Sequence, residues 1–277
     1  MNIYETFGRA SRIIVSRRRA ANAAGREEEQ RLWIKVNAYK QFICTTGQAY
    51  LFEDYLEGIA PTPRPSMSTA LEARRDSTSL WAMALLLKTF DETLEPREKR
   101  LVKILIAQVN FIADTGQLEV CEDWIDNPIE YAPVAIAHFA TRDEAEAWLK
   151  GLAEPPSPAM ILIGDEYHEM VYERKDNLRY IRRDYVMEAY LEAEIAARGI
   201  PPTVPTFETR AEAEKWLESH PAAPFGFVSI AGEYVYVVHH KWLKRHTLHP
   251  VAATLAAWEE YKRAMAREEA LEPAEDE

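Results

Sequence analysis

Apolar positions recur at three- and four-residue intervals through the first 121 residues, and this spacing predicts helices. Leu32, Trp33, Val36, Tyr39, Phe42 and Ile43 fall on one face of a helix whose start is marked by the carboxylates Glu27, Glu28 and Glu29. The segment before it closes with Arg17, Arg18 and Arg19, cations suited to a helix C-terminus, and Gly25 can break the chain there. An apolar block from Leu80 to Leu87 and a periodic helix over Pro96–Ala113, carrying Leu101, Ile104, Leu105, Val109 and Ile112, complete the set. The expectation for residues 1–121 is an all-helical bundle of four or five helices.

The pattern changes near residue 119. Residues 119–130 are acidic and aromatic and contain Pro128, which reads as an exposed connection, so residues 122–132 are taken as an acidic linker between domains. Beyond it the short apolar runs of strands alternate with single helices, and the order occurs twice. Phe139, Thr141, Arg142, Glu144, Ala145, Glu146, Trp148 and Leu149 recur, each identical, 68 positions later as Phe207, Thr209, Arg210, Glu212, Ala213, Glu214, Trp216 and Leu217. A fixed-period repeat marks one supersecondary unit used twice. In each copy a strand (Val134–Phe139; Thr203–Phe207) leads into a helix opened by a capping box, Thr141 with Glu144 and Thr209 with Glu212. Two apolar runs joined by a tight turn follow: Ala159–Ile163 with Tyr167–Tyr172, and Phe227–Ile230 with Tyr234–Val238. Helices over Asp184–Ala197 and Val251–Arg267 close the copies. The predicted fold is α+β: an N-terminal helical bundle followed by two tandem β-α-β-β-α repeats, at residues 133–199 and 203–267. Residues 268–277 are read as a disordered acidic tail. Trp148 and Trp216 are read as core anchors between helix and sheet.

Composition narrows the class of protein. With 47% apolar and 28% charged residues in 277, the chain has the make-up of a soluble globular protein. The longest dense apolar run falls short of the roughly 20 residues that span a bilayer. Two cysteines, Cys44 and Cys121, suggest neither a disulfide framework nor a zinc site, so a reducing cytoplasm is expected. Charge is unevenly placed. Residues 1–121 hold 17 Lys/Arg and 15 Asp/Glu, whereas residues 122–277 hold 16 and 30, a net of −14. Such a field repels phosphates of nucleic acid and membrane and draws in cationic partners.

Candidate chemistry is sparse. His239, His246 and His249, with Glu233 nearby, supply imidazole and carboxylate ligand types, but His239 and His240 are neighbours on a strand and must face opposite ways. The duplicated turn residues Glu166 and Glu233 lack a partner acid. Arg179, Arg182 and Arg183 with Tyr180, and Lys241, Lys244 and Arg245 with Trp242, interleave cations with aromatic rings as some RNA-binding surfaces do, without an accompanying RNA-recognition motif. The remaining feature is the acidic lead-in, where Glu122, Asp123, Asp126 and Glu130 surround Trp124, Ile125 and Tyr131 and join steering charge to apolar anchors. Together with Asp165, Glu166 and Glu233 these are the expected partner-binding residues.

The repeated order of an aromatic residue, Thr-Arg, Glu-Ala-Glu and Trp-Leu, then a hydrophobic strand and a small-residue turn followed by Glu-Tyr, resembles immunity proteins of bacterial toxin–immunity and kin-discrimination systems. The resemblance covers residues 139–172 and 207–238. It implies a non-catalytic cytoplasmic inhibitor that covers a cognate toxin enzyme. The charge adds an expectation of its own: a basic nuclease as partner, with no cofactor, no direct nucleic-acid contact and no membrane contact. Two other classes stay open: a small metal-dependent enzyme using His239, His246 and His249, and an adaptor whose helical and repeat halves bind different partners.

Overall fold

The computed structural model describes residues 3–60, 62–74, 77–220 and 224–271. It is α+β, with a helical N-terminal region followed by two four-stranded sheets. The chain divides into two compact units: Met1–Pro128 with Ala153–Ala159 and Val171–Arg179, and Ile129–Leu152 with Met160–Met170 and Tyr180–Glu277.

The first unit is built from α1 (Ile3–Ala23), α2 (Glu27–Thr45), α3 (Ala49–Gly58), the single turn α4 (Thr69–Glu72), α5 (Thr78–Glu92), α6 (Pro96–Asp114) and α7 (Leu118–Asp126). Helix α6 is central: it touches each of the other six. Its buried residues run without interruption from Leu105 to Val109 and again from Phe111 to Ala113, so the C-terminal half of the helix is buried on more than one stripe. Pro96 occupies its first turn, and the Glu95 side chain accepts a hydrogen bond from the Glu98 N–H at 2.7 Å. Trp33, Val36, Tyr39, Phe42 and Ile43 of α2 are all buried, as their spacing predicts.

The acidic lead-in is not an exposed linker. Residues Glu122–Asp126 form the end of α7, because Leu118 and Cys121 bury one face of that helix and Glu122 is held from the side. Irregular chain begins only at Asn127, followed by one 3-10 turn at Pro128–Glu130.

Two segments of the first repeat complete the helical unit. Ser157 N–H donates to Gly47 O at 2.8 Å, and the Ser157 hydroxyl donates to Tyr172 O and accepts from Tyr172 N, both at 2.8 Å. Tyr172 meets Tyr50 edge-on at 5.8 Å. Arg174 stacks over Tyr50 and grips Asp54 with two hydrogen bonds, at 2.8 and 2.9 Å, and Glu154 at 2.8 Å. Gly47 permits this approach. It sits at φ +69°, and a Cβ there would lie 2.7 Å from Pro156 Cβ and 2.8 Å from Ser157 N.

Each repeat has one strand more than the spacing of apolar residues predicts. The first runs β1 (Ala135–Phe139), α8 (Arg142–Gly151), β2 (Ala159–Ile163), β3 (Glu166–Glu173), β4 (Leu178–Arg183) and α9 (Val186–Arg198); the second runs β5 (Thr206–Phe207), α10 (Arg210–Ser219), β6 (Phe225–Ile230), β7 (Glu233–His240), β8 (Arg245–Pro250) and α11 (Val251–Leu271). Strand order is β1-β2-β3-β4 and β5-β6-β7-β8, with the first pair parallel in both sheets. Strand β5 is only two residues long; Pro201, Pro202 and Pro205 before it cannot donate to a ladder. Helix α11 extends through residues 268–271, which the acidic composition had placed in a disordered tail. Glu, Ala and Leu there favour helix, and residues 272–277 lie outside the described residues.

Both capping boxes form, and Phe139–Trp148 and Phe207–Trp216 contact at 5.2 and 5.6 Å with nearly equal tilts of 46° and 48°. The tryptophans are half-buried lids on those rings; Ala145 and Leu149, and Ala213 and Leu217, are the fully buried members of the two helices. The two repeats share a core. Ala135, Leu162, Tyr167, Met187 and Leu191 from the first cluster with Tyr236, Val238 and Val251 from the second. The other face of the second sheet, with Val235, Val237 and Leu248, packs against Leu217 of α10.

Candidate functional site

The acidic lead-in residues are engaged inside the units that carry them. The Glu122 carboxylate accepts hydrogen bonds from the hydroxyls of Ser77 and Ser79, the latter at 2.6 Å, at the start of α5; the Ser79 hydroxyl also meets Tyr39 at 2.8 Å. Asp123 accepts from the Asn127 side chain, Asp126 pairs with Lys35 at 2.6 Å, and the Trp124 ring lies 5.9 Å from Phe42. These contacts tie the four residues to the helical bundle, with Asp126 still exposed. The periodicity of Leu118 and Cys121 could have shown α7; the cluster of acids masked it.

Glu130 and Tyr131 sit in the second unit. Lys241 pairs with Glu130 at 2.9 Å and lies over the Tyr131 ring, which meets Trp242 edge-on at 6.1 Å. The other basic cluster is also met by its own chain. Arg179 covers Tyr172, Arg182 pairs with Glu169, and Arg183 bridges Glu166 at 3.0 Å and Glu188 at 2.9 Å. Asp165 receives both Nη atoms of Arg210, at 2.7 and 3.2 Å, tying the first β2–β3 turn to the start of α10. Glu233, at the start of β7, is exposed and has no ion-pair partner among the described residues. Sequence reasoning missed Arg183 and Arg210 as the partners of Glu166 and Asp165; nothing local in the sequence pairs residues 17 and 45 positions apart.

The histidines divide between the faces of β7 and β8. His239 pairs with His246 in the ladder, and their rings stack at 4.6 Å; His240, Thr247 and His249 lie on the opposite face. The set His239, His246 and His249 is therefore not brought together, because His249 differs in parity from its supposed partner on the same strand. Among the described residues no three His, Cys, Asp or Glu side chains gather as a metal site would require.

On the inner face a directed chain of hydrogen bonds can be worked out from proton counts. Tyr167 has one hydroxyl proton and donates it to Pro133 O at 2.8 Å, so its 3.3 Å contact with His240 Nδ1 requires that nitrogen to carry the proton. Nε2 of the neutral ring then accepts from the Thr247 hydroxyl at 2.9 Å, and Thr247 Oγ1 accepts from Nε2–H of His249 at 2.9 Å. Both tautomers follow. Burial pushes His240 down to about 3 and His249 down to about 4, with neighbouring His249 and Arg245 adding to the effect at His240. They are uncharged structural groups at neutral pH, and the hollow beside His240, against Tyr131 and Trp242, holds only about 10 Å³, too little for a substrate.

Nucleophiles and hollows elsewhere among the described residues carry no constellation either. Burial raises the thiols of Cys44 and Cys121, which disfavours the thiolate. A hollow of about 460 Å³ lies between α3, residues 59–68 and α6, but its polar groups hold the loop: Lys103 donates to Thr62 O, Asn110 to Ser66 O, and Tyr55 to Asp114. No described helix is long and apolar enough to cross a membrane. Comparison with protein families, with curated proteins and with solved structures found no match.

Proposed function

We propose that the chain is a non-catalytic immunity protein that binds and neutralises a basic toxin enzyme of the nuclease class, using the acidic surface of its second unit. The observation that carries this reading is how charge is distributed over the folded units. The second unit has 13 Lys/Arg against 24 Asp/Glu, a net of −11, which leaves the helical unit at −1. Much of the repeat chemistry is internal, yet Asp143 on α8, Glu208 and Glu218 at the two ends of α10, and Glu233 have no ion-pair partner among the described residues and are exposed. Such carboxylates steer a cationic protein and set its rate of association. The contact set is thereby moved from Glu122, Asp123, Trp124 and Asp126 to α8, α10 and the β6–β7 turn. In this reading the protein works in the cytoplasm, beside the nuclease it restrains.

The test is co-expression with the product of the neighbouring gene, scored by growth and by co-purification. Protection together with a stable complex is expected. Replacing Glu208, Glu218 and Glu233 by Lys should slow association at least tenfold at low salt and much less at high salt, as screening predicts. Absence of both complex and protection would refute the reading.

A further inference from the structure

A second charged feature lies on the helical unit, in a cleft of about 400 Å³ between α1 and the beginning of α6. Arg9, Arg12 and Arg17 of α1 and Arg97 of α6 line it above a floor of Ile13 and Leu101; Ser16 adds a hydroxyl and Glu98 is its one carboxylate. Four guanidinium groups against Glu98 and against Glu5, which pairs with Arg9, leave a local +2 on a unit whose overall charge is −1, so the cleft is a concentration of charge and not a sample of a basic surface.

Folding does not call for this arrangement. Arg9 and Arg12, three apart on one helix face, repel each other, and Arg97 adds a third cation from the facing helix. Arg9 is held by Glu5, and Arg17 reaches the Thr93 hydroxyl only at 3.4 Å. The guanidinium groups of Arg12 and Arg97 have no ion pair among the described residues and are exposed, although the Glu95 carboxylate, which accepts from the Arg97 N–H, acts on Arg97. All four cations are arginine, whose planar fork grips phosphate bidentately where lysine offers a point charge. From Arg9 to Arg17 the helix rises about 12 Å, so one phosphate cannot engage them all. The volume suits a nucleotide-sized ligand, and Ile13 and Leu101 offer an apolar bed for its uncharged part.

We propose that the α1/α6 cleft binds a small molecule carrying two or more phosphate groups, with Arg12 and Arg97 as the principal phosphate grips. The cleft belongs to the other unit from the acidic surface, so this proposal and the proposed function fail independently.

The experiment is calorimetric titration and thermal melting of the full chain with pyrophosphate, ATP, citrate and a poly-thymidine single strand. Pyrophosphate and ATP are expected to bind and raise Tm, citrate to bind at least tenfold more weakly, and the double variant Arg12→Gln/Arg97→Gln to lose at least tenfold in affinity with its ligand-free Tm unchanged. Arg31→Gln, an exposed arginine of α2 outside the cleft, should bind as the parent does. The proposal is overturned by no binding of either phosphate compound at millimolar concentration, by binding that the double variant retains, or by citrate binding as tightly. Tighter binding of the single strand through Arg12 and Arg97 would also overturn it, in favour of a nucleic-acid surface.

Discussion

Thr247 has a single hydroxyl proton and two buried imidazoles to satisfy, and this fixes how the second sheet responds to acid. The folded-state values of His240 and His249, about 3 and about 4, lie below the ordinary 6.5, so the unfolded chain binds protons first. Their contribution is complete above pH 6.5 and is lost as the pH falls toward 4. At pH 5 the loss amounts to about 2 kcal/mol per histidine. Urea unfolding at pH 7.5 and pH 5 should show at least that loss, to which His138, His168, His239 and His246, also lowered by burial, add; equal midpoints would contradict the assigned neutral chain. Thr247→Val keeps the shape and strands both rings, and should cost about 2–4 kcal/mol at pH 7.5 by the same assay. Gly47 sets a second residue-scale limit. Gly47→Ala adds a Cβ to a left-handed position already closed by Pro156 and Ser157, and should lower stability by about 2–4 kcal/mol, read as a drop in Tm. Little of this was legible in the sequence. The opposite faces of His239 and His240 follow from strand parity, but the roles of Tyr167 and Pro133 depend on residues brought in from the other repeat. Likewise the sequence shows Gly47 as punctuation and not as the seat for residues 156–159.

Among the elements, those with clean apolar periodicity were legible: α2, α6, both capping boxes and the strands up to β3 and β7. Strands β4 and β8 were not, since Leu178–Arg183 and Arg245–Pro250 carry arginine and histidine where alternation should place apolar residues. Their common origin shows instead in the turns. Residues 174–177 and 241–244 are four-residue connections, each ending in a left-handed residue, Asn177 at φ 47° and Lys244 at φ 49°. Asparagine adopts that conformation at lower cost than lysine, so the second copy carries strain that the first avoids. Lys244→Asn should raise stability by about 0.5–1 kcal/mol, visible as a small increase in Tm; a decrease would mean that the Lys244 side chain makes a contact worth more than its backbone costs. Helix α7 teaches the complementary lesson. Its acids have the composition of a linker, while Leu118 and Cys121, three apart, give it the buried face of a helix.

For the whole molecule, two halves were expected to meet near residue 125, but the chain passes between its units five times, at residues 128, 152, 159, 170 and 179. The helical unit takes Ser157, Tyr172 and Arg174 from the first repeat, so it is not complete at residue 128. Residues 1–128 expressed alone should leave Gly47, Tyr50 and Asp54 uncovered and melt well below the full chain, whose fluorescence and circular dichroism transitions should coincide. A fragment as stable as the parent would show the repeat segments to be dispensable. The buried hydrogen-bond chain also breaks the symmetry of the duplication. One period of 67 residues away, Tyr167 corresponds to Tyr234, which is 40% exposed, while His240, Thr247 and His249 correspond to Glu173, Tyr180 and Arg182. The hydrogen-bond chain from His249 to Pro133 therefore exists once and has a sense, donor copy to acceptor copy. Two modules that began as duplicates have become a lock and its seat, and a chain carrying the first copy twice would have no neutral pair at its centre.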